Sequence, residues 1–188
     1  MIPKFLILIL MLGAGGAVAQ QHARGLVKPA DTGPVSVMRS ATLQVYVASD
    51  AVSVFGYLSD QAKLTAWLAD QAILEPQFGS KFHFRWKGQE PVDGVVTEFL
   101  AANTMAFTWK HPSDEAETQV RFKLSPQGGR TLVELELRGY TSADALDKGV
   151  KFWVFNLQNL KSVIENQMDL RQAAPKTTVR TSTRRRTH

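Results

Sequence analysis

Residues 81–87 read Lys-Phe-His-Phe-Arg-Trp-Lys, with basic or polar and aromatic side chains in unbroken alternation. Successive side chains on a β-strand point to opposite faces. The run therefore puts Phe82, Phe84 and Trp86 on one side and Lys81, His83, Arg85 and Lys87 on the other. Such a strand belongs to a sheet with one wet face and one apolar, covered face. What covers the aromatics decides the fold. Whether a guest shares that cover decides the function.

The same alternation recurs on both sides of this run. Upstream, Leu43, Val45 and Val47 alternate with Gln44 and Tyr46. Ser49 or Asp50 then reads as a helix N-cap, followed by Val52, Phe55, Tyr57 and Leu58 on a short helix. Ser59 or Asp60 can cap a second short helix carrying Leu64, Trp67 and Leu68. A short strand over Ala72–Glu75 stops at Pro76, and Phe78-Gly79-Ser80 turns into the aromatic strand. Downstream, Gly88–Pro91 is a turn and Val92–Leu100 resumes the sheet. Met105, Phe107 and Trp109 alternate on the next strand, which His111–Glu117 follows as a hairpin loop. Val120, Phe122 and Leu124 alternate before Gln127-Gly128-Gly129, and Val133, Leu135 and Leu137 after it. Short turns between alternating strands define an antiparallel meander.

Past Gly139 the period changes. Leu146, Val150, Trp153, Leu157, Leu160 and Ile164 are spaced by four or three, the apolar stripe of a helix of about six turns. Ser142 or Asp144 can cap its start, and Arg171 marks its expected end. One-faced strands and a single long amphipathic helix bury each other most economically when the helix lies across the sheet. The expected class is α+β: a curved antiparallel sheet wrapped around one long C-terminal helix, with two short helices after the first strand.

The termini read differently. Lys4, the apolar run Phe5–Leu12 and Ala17-Val18-Ala19 have the layout of a signal peptide over residues 1–19, cleaved between Ala19 and Gln20. The expected destination is the periplasm or the exterior; an uncleaved anchor is the alternative. Residues 20–40 form a flexible lead-in, 41–171 the folded domain and 172–188 a tail without apolar period, disordered on composition. The chain has 22 basic and 17 acidic residues. Lys4, Lys176, Arg180, Arg184, Arg185 and Arg186 account for six of the basic ones, which leaves 16 against 17 between Gln20 and Arg171, a net −1. The basicity belongs to the tail, so the domain itself is not expected to bind nucleic acid specifically. The tail could make a weak contact with an anionic surface or partner.

No catalytic constellation is present. There is no cysteine, no phosphate-cradling glycine loop, no Gly-x-Ser-x-Gly and no pair of histidines at metal spacing. His22, His83, His111 and His188 are scattered, and the basic strip on the wet face reads as charges paired with Glu134 and Glu136. No enzyme, metal or cofactor is expected. The residues open to a functional reading are the rings: Trp67, Phe82, Phe84, Trp86, Phe107, Trp109, Phe122, Phe152 and Trp153. They either fill the core completely or line a cavity for an apolar molecule. Asn156, beside the helix's apolar stripe, either anchors such a guest or faces water.

Trp67, Glu75-Pro76, Phe78-Gly79, Phe82-His83-Phe84, Gly94-Val95-Val96, Phe107-Thr108-Trp109, Gly129-Arg130-Thr131-Leu132 and Gly139-Tyr140 stand in a characteristic order. With the Phe152-Trp153 to Leu160-Lys161 helix, this order resembles the START-like (SRPBCC) superfamily. Within it, the chain is similar to the branch of the C-terminal domain of the heat-shock-protein-90 ATPase activator, over about Leu43 to Arg171. The resemblance implies a helix-grip fold and a hydrophobic cavity between sheet and long helix. Members bind small hydrophobic molecules or have no assigned activity. Export and an Arg-rich tail depart from that branch, and a cytosolic chaperone is not an expected client here.

Overall fold

The computed structural model describes residues 38–110 and 116–173. The leader, most of the lead-in, the start of the loop after Lys110 and the basic tail lie outside the described residues. Element order is β1 (Arg39–Val47), α1 (Ala51–Ser59), α2 (Gln61–Trp67), β2 (Gln71–Leu74), β3 (Lys81–Arg85), β4 (Val92–Leu100), β5 (Thr104–Trp109), β6 (Thr118–Gln127), β7 (Arg130–Tyr140), α3 (Ala143–Asn166) and α4 (Leu170–Ala173). All seven strands form one antiparallel sheet in the order β1-β7-β6-β5-β4-β3-β2. The chain thus runs as a meander from β2 to β7, and β1 closes onto β7.

Period-two alternation places the core. Phe82 and Phe84, Met105, Phe107 and Trp109, Val120, Phe122 and Leu124, and Val133, Leu135 and Leu137 are all buried on the inner face. α3 covers that face with Trp153, Leu157 and Leu160 fully buried, while Leu146, Val150 and Ile164 pack half-buried at its edge. Burial of each large apolar side chain contributes about 1.5–3 kcal/mol, so the helix–sheet layer is the main stabilising contact of the domain. The β6–β7 hairpin turns on Gly128 and Gly129, whose φ values of 56° and 81° give the left-handed pair a two-residue hairpin needs.

Several local expectations are corrected. β1 starts at Arg39, inside the expected lead-in, because Arg39 pairs with Tyr140 across an irregularity while exposing its side chain, so no apolar pattern marks it. β3 ends at Arg85 rather than running to Lys87. There Asp70 intercepts the chain: its N–H donates to the Arg85 carbonyl at 2.9 Å, and its carboxylate accepts from the Lys87 N–H at 2.7 Å. On α1 the buried stripe is Ala51, Val54, Phe55 and Leu58, and Val52 faces out. Asp50 caps that helix, Asp60 caps α2 and Ser142 caps α3.

α3 stops at Asn166, five residues before the expected end. Gln167 adopts a left-handed conformation (φ 55°), and its N–H donates to the carbonyls of Ser162 and Val163. The chain then turns back into α4.

The outer face carries its own device. Glu98, Ala106, Arg121 and Glu136 are cross-strand neighbours on β4, β5, β6 and β7. Arg121 spans Ala106 and donates to both Glu98 oxygens, at 2.7 Å and 3.2 Å. Its distance to Glu136 is 3.9 Å. Hydrogen bonds from Arg121 hold the Glu98 carboxyl below its usual range. The pairing expected for the basic strip with Glu134 and Glu136 does not extend to β3, which lies four strands from β7. His83 pairs instead with Asp93, Nδ1 to Oδ1 at 2.7 Å.

Candidate functional site

The sheet and α3 bring all nine candidate rings into one continuous cluster. Phe82 lies 4.5 Å from Phe84 and 5.2 Å from Phe107, centroid to centroid. Phe107 leads to Phe122 at 6.1 Å, and Phe122 to Trp67 at 6.5 Å. From the helix side, Trp153 meets Trp109 at 5.1 Å and Phe122 at 5.7 Å, both edge-on. Edge-on and offset pairs of this kind add about 0.5–1.5 kcal/mol each beyond the area they bury. Much of the cluster is therefore cohesive core.

Two rings lie at its rim. Trp86 and Phe152 are half-buried, 6.0 Å apart and edge-on, and both contact Trp109. Trp86 is held by its indole N–H, which donates to the Leu68 carbonyl at 2.7 Å. It also lines an open groove of about 730 Å³, together with Asp70, Gln71, Arg85, Lys87, Gly88, Gln89 and Glu90. A path of aromatic surface thus runs from a solvent groove, through Trp86 and Phe152, to fully buried Trp153. A second open groove, about 530 Å³, lies on the outer face around His83, Asp93, Val95 and Thr108.

Polar groups inside the layer are few, and almost all are satisfied. Trp67 donates its indole N–H to the Tyr57 carbonyl at 2.8 Å. Asn156 is buried rather than wet, but its Nδ2 donates to the Phe152 carbonyl one turn back, at 2.8 Å. Its amide N–H is thus engaged by its own helix. Among the ring-wall residues described, Trp153 Nε1 is buried with no hydrogen-bond partner; at the α4 joint, Arg171 Nη1 is too. Leaving a buried donor unpaired costs about 1–3 kcal/mol.

Asn159, which the pattern of α3 did not single out, is the best-connected polar side chain of the helix. It is fully buried and reaches the Trp67 carbonyl, Asp169 and the Leu170 N–H. Its spacing of three from Asn156 on the same apolar stripe was the available signal.

One long helix gripped by an antiparallel sheet, with two short helices after the first strand, defines a START-like, helix-grip domain. Residues 49–165 match the family model described as Activator of Hsp90 ATPase homolog 1-like protein, and the chain belongs to that family. Among solved structures, a Mesorhizobium loti protein is similar at 17% identity and a TM-score of 0.63, covering 69% of this chain and 99% of its own. The Aha1 dimer from Colwellia psychrerythraea matches at 20% identity and 0.59, covering 68% and 97%. A protein from the dynemicin biosynthetic locus matches at 14% and 0.63, over 68% of this chain and 48% of that one. Identities this low carry the fold alone. No curated protein matches the chain in sequence.

Proposed function

We propose that this is an exported, non-enzymatic binding protein that holds a small hydrophobic molecule against the ring wall between sheet and α3. The observation that carries the reading is the unbroken aromatic path from the groove at Trp86 to Trp153. Trp86 stands half-buried at the groove, and a guest entering there exchanges ring–ring contacts for ring–guest contacts. Among the described residues, the groove and wall bring together no nucleophile, base and orienting group.

Purification of the native protein, extraction into organic solvent and mass spectrometry test the reading. A single apolar compound recovered near one per chain supports it; an empty extract, with no shift in melting temperature across a panel of apolar compounds, overturns it. N-terminal sequencing of the same material tests export, with Gln20 expected first.

A second reading rests on the tail composition. Lys176, Arg180, Arg184, Arg185 and Arg186 follow Arg171 with no acid among them. They would dock the protein to an anionic surface, with affinity for anionic vesicles that falls steeply with salt and disappears when 175–188 is deleted. Unchanged binding after the deletion removes this reading.

A further inference from the structure

We propose that the guest carries an uncharged hydrogen-bond acceptor, a carbonyl or ether oxygen, and that the Trp153 indole N–H donates to it. This rests on the binding reading above and specifies its chemistry. Trp153 is fully buried, and Nε1 has no partner among the described residues. Elsewhere in the ring cluster, Trp67 and Trp86 each donate to a backbone carbonyl, at 2.8 Å and 2.7 Å.

The surroundings of Trp153 explain why nothing internal answers its N–H. Its ring neighbours are Phe107, Trp109, Phe122 and Phe152, at 6.4, 5.1, 5.7 and 5.2 Å. None of these offers an oxygen or nitrogen lone pair. Asn156, one turn away, turns its Nδ2 to the Phe152 carbonyl, and no described residue accepts from Trp153 Nε1. The acceptor assigned to it is therefore the guest's.

It must also be neutral. Apolar rings give a carboxylate or phosphate no counter-charge, and moving an unpaired charge into them is far more costly than moving a carbonyl. The wall's flat rings favour a flat, aromatic body behind that acceptor. The route starts at the groove lined by Trp86, whose ring meets half-buried Phe152, which in turn meets Trp153.

The test compares 2-acetylnaphthalene with 2-isopropenylnaphthalene, which has the same shape but a methylene group in place of the carbonyl oxygen. Both are titrated into the full-length protein labelled with nitrogen-15 at its indoles. The ketone is expected to bind about tenfold more tightly, the effect of one well-formed hydrogen bond. The Trp153 indole proton should move downfield and exchange more slowly with the ketone alone. Trp153→Phe should level the two affinities. If that variant does not fold, the affinity ratio and the wild-type indole signal decide. Equal affinities, an unmoved Trp153 resonance, or a ketone preference that survives Trp153→Phe overturns the proposal while leaving apolar binding intact. If neither naphthalene binds and the native extract is empty, the binding reading falls and takes this one with it.

Discussion

The Asn159 side chain joins α2 to α3: its Nδ2 donates to the Trp67 carbonyl at 2.7 Å, across 92 residues of sequence. The same amide donates to Asp169 at 3.0 Å, and its Oδ1 accepts the Leu170 N–H at 2.7 Å. One buried group thus satisfies the end of α2 and ties it to Asp169 and the first residue of α4. Arg171 completes the joint by donating to the Thr65 carbonyl at 2.8 Å while holding Asp169. The position of Trp67 against the ring wall depends on this joint.

Asn159→Leu keeps the volume and removes all three bonds. It leaves the Trp67 carbonyl and Leu170 N–H unpaired, and should cost about 2–4 kcal/mol of unfolding free energy at neutral pH. Urea denaturation followed by tryptophan fluorescence measures it. A loss below about 0.5 kcal/mol would show that water replaces the joint freely.

Gly94 tolerates no side chain. A Cβ there would lie 2.5 Å from the Phe82 ring and 2.6 Å from the Thr108 carbonyl oxygen. Phe82 is Gly94's cross-strand partner, and its ring occupies the space a side chain would take. The Phe82 ring could shift, but the Thr108 carbonyl is backbone, so β4 and β5 would have to part. Gly94→Ala should destabilise by about 1–3 kcal/mol. Combining it with Phe82→Leu should recover only part of the loss, because the backbone contact remains. Full recovery in the double variant would locate the whole constraint in the ring.

The joint around Asp169 makes stability pH-dependent. Burial pushes the Asp169 carboxyl up, but hydrogen bonds from Arg171 and Asn159 outweigh it and hold the group below its ordinary 3.8. A carboxyl lowered in the folded state stabilises fully above its unfolded pKa and loses that contribution as pH falls through the folded one. Asp169→Asn should therefore be less stable than wild type at pH 7, with the gap narrowing below about pH 4. Glu98 and Glu165 are also lowered in the fold, so the difference between variant and wild type, not the absolute curve, carries the test. A gap that stays constant from pH 7 to pH 3 contradicts the assignment.

How much of this was legible in the sequence follows from periodicity. Alternation at Phe82 and Phe84, or at Val133, Leu135 and Leu137, translates directly into burial, because one face of a sheet must be covered. The stripe from Trp153 to Leu160 does the same for α3. Lateral partners are another matter. Arg121 meets Glu98 because of the register between β4 and β5, including its shift between Val96 and Glu98, and no local pattern encodes that register. Asn159 escaped for a related reason. A polar residue on an apolar stripe looks like helix flank until the carbonyl 92 residues away is brought to it. Trp86 was expected on a strand face, yet it sits past the strand end, where Asp70 and Leu68 hold the chain.

Trp86 is then the residue whose removal separates a gate from a brick. Its indole is tied to Leu68 at 2.7 Å, and its ring stands edge-on to Phe152 at 6.0 Å, beside the groove. A brick, once removed, lowers stability and does little else. A gate slows exchange between groove and wall, so Trp86→Ala should speed both association and release of 2-acetylnaphthalene several-fold, with a smaller change in their ratio. Stopped-flow fluorescence of the remaining tryptophans reads both rates. Some loss of stability is expected either way, since a half-buried ring and one hydrogen bond disappear, at a combined cost of about 1–3 kcal/mol. If both rates stay at their wild-type values while stability falls, Trp86 only packs, and entry to the wall lies elsewhere.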